Sequence, residues 1–596
     1  MRELEYPFDA GFIVTQKKKI KRRLLEQIKD THSSCIPTRV AVLGGGTTTD
    51  VKDCIELFLL HCGIEPVFYE SEYNRYYQDA VFSNDELDSF HPDFVYICTS
   101  NHNITEYPAI TDSSEYIDGL VSNEISKFTA IWDALFQRFH CVIIQNNFDM
   151  PYLRPLGNRE AWDIHGGVHF LSRINMAFAE YAQTHEGLYI CDLNWISSDY
   201  GLKEWADPYF WYMYKYAMAL EAIPYLSYNV ANIIKSLLGK NMKAIVTDLD
   251  NTLWGGVIGD DGVENISLGS EGSKDQAYQA FQRYLKRLQT QGILLNIDSK
   301  NDYENALAGL EHPDSILKKD DFIDIRANWD PKDTNFLEIA KTLNLLPESM
   351  VFIDDNPAER HIVREQIPGA KVPELTEISY FAATVDRSGF FEVTNFSADD
   401  LDRNIMYQDN AKRARFEKTF SDYGEYLLSL EMKAKIRPFE SLYLARIAQL
   451  TNKSNQFNLT TRRYTREEIE IVSEDPQYIT LYGKLEDRFG DNGVVSVLIA
   501  HCGDDKCQVD LWLMSCRVLK RDMECAMMDA LVSECKKRKI GEIIGFYYPT
   551  KKNGMVRLFY EERGFTKIEE DENGNTVWKL EINESVEKQN KYIEIV

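Results

Sequence analysis

The 596-residue sequence contains no run of 18 or more apolar residues, so no helix long enough to cross a membrane is expected. It has no CxxC pair, and its eleven cysteines are scattered without metal-ligand spacing. A disulfide framework or a zinc site is therefore not expected, and reduced thiols in a cytoplasmic setting suit the pattern better. No cysteine occurs between Cys191 and Cys502. Positive charge is also scarce: the formal net charge is -28, which argues against a general nucleic-acid binder. The N-terminus lacks a small-residue cleavage site after its short apolar stretch. The basic run Lys17–Arg23 reads as one face of an amphipathic helix. No short-period repeat and no low-complexity tract interrupts the chain.

What is present is a globular composition, 44% hydrophobic and 27% charged, with enough length for three or four domains. Residues 1–36 read as a helical lead-in. RVAVLGGG at 39–46 reads as a buried strand ending in a glycine turn, followed by a helix over 51–62. Strands near 66–69, 93–100 and 141–147 follow, with a helix at about 120–138 before the last of them. Such alternation predicts a parallel sheet with helices on both faces, placing a first α/β domain at 37–235. A second alternation begins at KAIVTDLD, 243–250, and defines a domain over 236–396. It has a helix at 276–290 stopped by Gly292, and strands ending at Ser299 and Asp355. Residues 397–430 read as a helical connector, 431–582 as a mixed α+β domain, and 583–596 as a loose tail.

Chemistry concentrates in the central domain. Asp248 and Asp250, two residues apart after an apolar strand, are predicted to face the crevice outside the sheet, where ligands bind in open α/β folds. One carboxylate can attack phosphorus while the other protonates the leaving oxygen. Ser299, at the next strand end, can hydrogen-bond a phosphate oxygen, and Lys332 in WDPKDTN can offset the charge of nucleophile and phosphoryl group. Asp354 and Asp355, with Asp248 and Asp250 (the last through its backbone carbonyl), form a hard-oxygen ligand set that suits Mg²⁺. A DxD alone is weak, since acidic strand ends are common. The ordered set DLDNT, Ser299, Lys332 and IDDNP is specific.

That order resembles the aspartate-nucleophile phosphatases of the haloacid dehalogenase (HAD) superfamily. The stretches VTDLDNTLWGGVIGDDG, DSKND (298–302), VFIDDNPAER (351–360), LTNKSNQFNLTTRRY (450–464), DRFGDNGVVSV (487–497), LMSCRV (513–518) and FYEERGF (559–565) more closely resemble the FkbH-like proteins. The resemblance implies an α/β multidomain chain: an SGNH-hydrolase-like doubly wound domain, a HAD-like Rossmannoid core and a GNAT-like α+β domain. It also implies an activity. Family members remove phosphate from 1,3-bisphosphoglycerate and pass the glyceryl unit to the phosphopantetheine thiol of an acyl carrier protein. Little chain between Asp250 and Ser299 is left for a large cap, and residues 253–270 read as a glycine-rich flap. Asn251, Thr252, Lys300, Gln456, Asn458, Arg462 and Cys516 are the candidate substrate contacts. Acidic carriers would dock on a local basic surface such as Lys17–Arg23, Arg462–Arg463 or Lys536–Lys539.

The sequence departs from the family at several points. Asp298 stands where many members have a cysteine, so a glyceryl thioester in this domain is excluded, and the aspartate is either tied by Lys300 or turned into the sheet. Thr47, Thr48 and Thr49 occupy the turn where a hydrolase serine would sit. Asn146 and Asn147 lie where an oxyanion asparagine would, and Asp207-Pro208-Tyr209-Phe210 lacks the histidine of Asp-x-x-His. His165 and His169 are separated by glycines that argue for a loop or packing role. Lys520 and Asp522 stand where acetyltransferase glycines would cradle a pyrophosphate. Alongside phosphate removal with acyl transfer, two readings stay open: a plain phosphatase of a small metabolite, and a non-enzymatic assembly protein.

Overall fold

The structure is a computed structural model that describes residues 1–30, 35–395, 401–454, 456–503, 505–550, 552–583 and 587–596. The side chains of residues 414, 415, 453 and 516 fall outside that description, so the thiol of Cys516 lies outside the described residues. The chain divides into two compact units, Met1–Ser236 and Leu237–Val596. No described helix is long and apolar enough to cross a membrane.

In the first unit, β1 (Ile36–Gly44), β2 (Ile64–Glu70), β3 (Phe94–Cys98), β4 (Val142–Asn146) and β5 (Leu188–Cys191) form a parallel sheet of order β2-β1-β3-β4-β5. Val40, Ala41, Val42 and Leu43 are fully buried, as a central strand covered on both faces requires. The expected helix at 120–138 begins earlier, at Ser114, because the Ser113 hydroxyl caps it by accepting from Tyr116 N. The lead-in helix, Ala10–Asp30, buries Ile13, Ile20 and Leu24. Part of its basic run is paired: Lys17 binds Asp50 and Asp53, and Lys21 lies 2.7 Å from Glu56, while Lys18 and Lys19 are exposed. The acids of the helix Thr49–His61 thus engage the inward side of the run and leave Lys18 and Lys19 on its exposed side.

The second unit contains two sheets. β6 (Ala244–Thr247), β7 (Leu294–Lys300), β8 (Phe322–Asn328) and β9 (Met350–Ile353) are parallel in the order β8-β7-β6-β9. The chain reverses its direction of winding at β6, so the ends of β6 and β9 form the switch-point crevice. β8 was not anticipated from sequence: as an edge strand it carries Asp324 and Arg326 on a half-solvated face.

The other sheet comprises β10 (Lys433–Arg437), β11 (Phe457–Asn458), β12 (Tyr478–Asp487), β13 (Gly490–Cys502), β14 (Lys506–Met514), β15 (Glu542–Tyr547), β16 (Thr566–Glu570), β17 (Thr576–Glu581) and β18 (Glu594–Ile595). It is mixed, with β14 and β15 parallel inside an otherwise largely antiparallel array. Pairing of β14 with β15 ends at Val509–Gly545, and β11 then pairs with β14 at Leu513 and Met514. The final residues, expected as a loose tail, are instead docked: β18 runs parallel to β10, and Asp529 accepts from Gln589 N and Asn590 N. The helix Arg403–Glu417 packs against both parts of this unit. Tyr407 is buried with Phe352 of β9 and Phe336 of the helix Lys332–Leu343, and Arg413 reaches Asp487 of β12.

Candidate active site

Asp248 follows the last residue of β6, and its N–H is held by Ile353 O across β9. This connection brings Asp248, Asp354 and Asp355 together, with one carboxylate oxygen of each within 4.8 Å of the others. Lys332 starts the helix Lys332–Leu343 and buries its ammonium between two of them, 3.0 Å from Asp248 Oδ1 and 2.5 Å from Asp354 Oδ2. Burial works against the lysine charge, but the two carboxylates outweigh it and raise its pKa. Burial, followed by the Asp248 charge, pushes Asp354 up to about 7, and burial also raises Asp355. Three oxygen donors that repel one another and are taken from water form the donor set a hard divalent cation stabilises.

Asp250 behaves differently. Its Oδ1 accepts from Trp254 Nε1 (2.8 Å) and Ile258 N (3.2 Å), and its Oδ2 accepts from Asn301 Nδ2 (3.0 Å). Burial raises its pKa, as a proton donor requires. Its carboxylate is not part of the three-acid cluster, so the expected metal role falls to its backbone carbonyl alone. Residues 253–270 are not a loose flap. Leu253, Trp254, Ile258, Ile266 and Leu268 are buried, Gly255 and Ser267 exchange backbone hydrogen bonds, and Gln282 Nε2 donates to Leu253 O.

An open cleft of about 430 Å³ is lined by Asp248, Asp250, Asn251, Ser299, Lys300, Lys332 and Asp355, and by Asn356, Pro357 and Glu359 beyond them. Asn251 takes a left-handed backbone, and its Oδ1 accepts from Gly256 N. Thr252 braces Asp355, whose N–H donates to the Thr252 hydroxyl at 3.1 Å. Lys300 pairs with Glu359 at 2.6 Å, which settles the position of Asp298: it turns inward, accepts from Asn335 Nδ2 at 3.1 Å and leaves Oδ2 without a partner. Sequence reading missed Asn301, Asn335, Asn356 and Glu359. Asn301 and Asn356 follow immediately on the strand-end motifs DSK and IDD, and that adjacency is the signal that could have found them.

The remaining candidates do not join the cleft. Asn458 is buried, and its Oδ1 accepts from Thr461 N. Arg462 is half-exposed, pairs with Asp510 at 3.4 Å and stacks over Tyr464. Gln456 and Arg462 do not line the cleft. In the first unit, Thr47 donates to Tyr214 O, while Thr48 and Thr49 donate to Glu70. Asn146 is engaged by Tyr96 and Thr99, Asn147 by Asp192, and Asp207 caps the helix Pro208–Tyr214. His165 sits 2.7 Å from Asp163 and 3.1 Å from Asp112 O, which is a packing role. Lys520 and Asp522 take the left-handed backbone that glycine favours, and Asp522 accepts from Lys591 N. The helix start at Met523 therefore faces a carboxylate already engaged by the chain.

A parallel doubly wound sheet carrying DxD at one strand end, acids at the neighbouring end and a lysine between them defines the haloacid dehalogenase class of α/β site. Residues 39–235 match the family described as FkbH, N-terminal domain. The N-terminal part of the protein BF1531 from Bacteroides fragilis, containing a phosphatase domain and complexed with Mg, is similar at 29% identity and a TM-score of 0.59. That similarity covers 64% of this chain and 99% of that one. The ribosomal-protein-S18-alanine N-acetyltransferase from Escherichia coli is 14% identical with a TM-score of 0.21, over 27% of this chain and 99% of its own. No curated protein matches the chain.

Proposed function

We propose that the chain is a Mg²⁺-dependent phosphohydrolase of the HAD type, acting on a small phosphorylated substrate. The observation that carries this reading is the convergence of Asp248, Lys332 and Asp355 in one open cleft, with the buried Asp354 clustered with the two acids and paired to Lys332 and with Asp250 held as a separate group. Asp248 attacks phosphorus and forms an aspartyl phosphate while the bond to the leaving oxygen breaks. Asp250 gives that oxygen its proton, then takes one from the water that hydrolyses the aspartyl phosphate. Lys332 and Ser299 hold the phosphoryl oxygens. Asp248, Asp354, Asp355 and the Asp250 carbonyl would hold Mg²⁺, which supplies positive charge against the phosphoryl group. The Mg complex of the similar Bacteroides fragilis phosphatase domain supports the metal assignment.

The finer proposal is that the substrate is an acyl phosphate of the 1,3-bisphosphoglycerate kind: the phosphopantetheine thiol of an acyl carrier protein attacks the acyl carbon and displaces that phosphate with its oxygen, while Asp248 acts on the phosphate ester at the other end of the molecule. The match to the FkbH N-terminal domain and the uncapped cleft support it. With Asp298 in place of a thiol, the acyl group would pass directly to the carrier. The same residue favours the second reading, phosphate release without transfer. None of the ten cysteines whose side chains are described forms a disulfide, which suits the reducing cytoplasm proposed as its location. The deciding experiment incubates the protein with Mg²⁺, the acyl phosphate and a phosphopantetheinylated carrier, and reads the carrier by intact mass spectrometry. A glyceryl adduct is expected; phosphate release with an unmodified carrier would leave the plain phosphatase.

A further inference from the structure

The loop between β8 and Lys332 holds a tryptophan that the reaction chemistry does not use. The Trp329 side chain is an exposed indole, at 72% exposure. It is nonetheless fixed in place. Its Nε1 donates to Asp302 Oδ1 at 3.1 Å. Asp302 occupies the cap position of the helix Tyr303–Glu311, yet makes no capping hydrogen bond with its side chain. A cap aspartate ordinarily accepts from the first turn of its helix; here an oxygen of that carboxylate is given to the indole. The loop is braced as well: Asn328 and Asn335 exchange side-chain hydrogen bonds at 3.2 and 2.9 Å, and Asp330 N donates to Asn328 Oδ1.

The loop borders the cleft. Lys300, which lines the cleft, is paired in register with Asn328, the residue before Trp329. Asp302 N donates to Asn301 Oδ1, and Asn301 in turn holds Asp250. Three residues further on, Lys332 reaches the acids. Trp329 does not itself line the cleft, but its loop runs from Asn328, which pairs with a cleft residue, to Lys332, which is one. A large exposed ring anchored by a hydrogen bond in such a loop makes sense when a ligand in the cleft reaches and covers it. The cleft floor takes the phosphoryl group, so what reaches the rim is the carbon-bearing part of the substrate.

We infer that Trp329, positioned by Asp302, is the specificity residue that packs against the organic leaving group of the phosphorylated substrate. The inference rests on the phosphatase reading above. The test is calorimetric titration of the full-length, Mg²⁺-loaded Asp248→Asn protein, which binds without turnover, with phenyl phosphate and with inorganic phosphate. The ratio of the two affinities is the readout. Phenyl phosphate should bind more tightly, and adding Trp329→Ala should lower the ratio about tenfold, the scale of one aromatic contact. Trp329→Phe should restore most of the ratio, and Trp162→Ala, a change at an exposed tryptophan of the other unit, should leave it as it is. A ratio unmoved by Trp329→Ala, or moved equally by Trp162→Ala, overturns the inference while leaving the phosphatase reading intact. If inorganic phosphate does not bind and the unsubstituted protein releases none from either phosphate ester or acyl phosphate, the phosphatase reading itself fails and takes this inference with it.

Discussion

A carboxylic acid taken fully out of water resists ionisation, and Asp298 is such a group. It is buried at the end of β7, with one oxygen bound to Asn335 and the other unpartnered. Burial pushes its pKa up to about 8, with Lys332 acting in the opposite direction and Asp248 and Asp354 adding to the shift. In the unfolded chain the same group ionises near its ordinary value. Its contribution to stability is therefore complete at acid pH and is lost progressively up to about pH 8. The variant Asp298→Asn keeps a neutral group of the same shape that still accepts from Asn335. In the metal-free protein it should melt several degrees above the unsubstituted protein at pH 8, with the gap closing near pH 4; equal melting temperatures at both pH values would contradict this. Asp248→Asn should reduce phosphate release to background with an unchanged circular dichroism spectrum, because the nucleophile is lost while Lys332 keeps its buried pair with Asp354. Turnover near the normal rate in that variant would remove Asp248 as nucleophile.

At the scale of elements, the segment after DLDNT acts as a wall that sets Asp250. Trp254 is fully buried, and a Cβ on Gly309 would lie 2.5 Å from its Cη2. Gly309→Ala must push the indole, and with it the Nε1 donor to Asp250, at a cost of about 1–3 kcal/mol. A lower melting temperature should accompany slower phosphate release; a variant matching the parent in both would show that the wall can yield. In the C-terminal sheet, the fork where β14 parts from β15 is filled by the chain itself. Leu459 N donates to Trp512 O, Tyr548 N donates to Leu459 O, and Asn553 Nδ2 donates to Asn458 O. Backbone groups that a pantetheine chain would have to pair with are thus already satisfied, and Asp522 places negative charge at the adjoining turn. Titration with acetyl-CoA should give no binding heat at concentrations up to the millimolar range; saturable binding would show that the segment can be displaced.

At the scale of the molecule, the helix Arg403–Glu417 joins the parallel sheet to the C-terminal sheet through a buried charge network. Arg413 NH2 donates to Asp487 Oδ1 at 2.8 Å, Arg521 lies 3.3 Å from Asp487 Oδ2, and both arginines donate to Asn410 Oδ1. Removing the single acid leaves two buried cations facing each other. Asp487→Leu should therefore destabilise the second unit by about 3–5 kcal/mol, as measured by denaturant unfolding. A loss below about 1 kcal/mol would mean that water reaches the pair.

The sequence alone determined the central domain. Apolar strands that end in DLDNT, Ser299 and IDDNP fix both the parallel sheet and the carboxyl-end position of the acids, because strand burial and strand polarity are local properties of the chain. The lysine at 332 was legible for the same reason, as the opening of a helix after a strand. Tertiary structure alone decided the partners. Asp250 and Asp248 are two residues apart, yet one faces Asn301 and Trp254 and the other the Lys332 ammonium, and only packing separates them. The basic run at Lys17–Arg23 read as a surface helix, and which of its lysines meet acids of another helix (Lys17 and Lys21) and which stay in water (Lys18 and Lys19) came only from packing. Asn458, in a strand-like polar alternation, proved to be a buried brace because β14 and β15 diverge there. Periodicity gives the face a residue lies on; what stands opposite that face depends on contacts between distant parts of the chain, which no local pattern encodes.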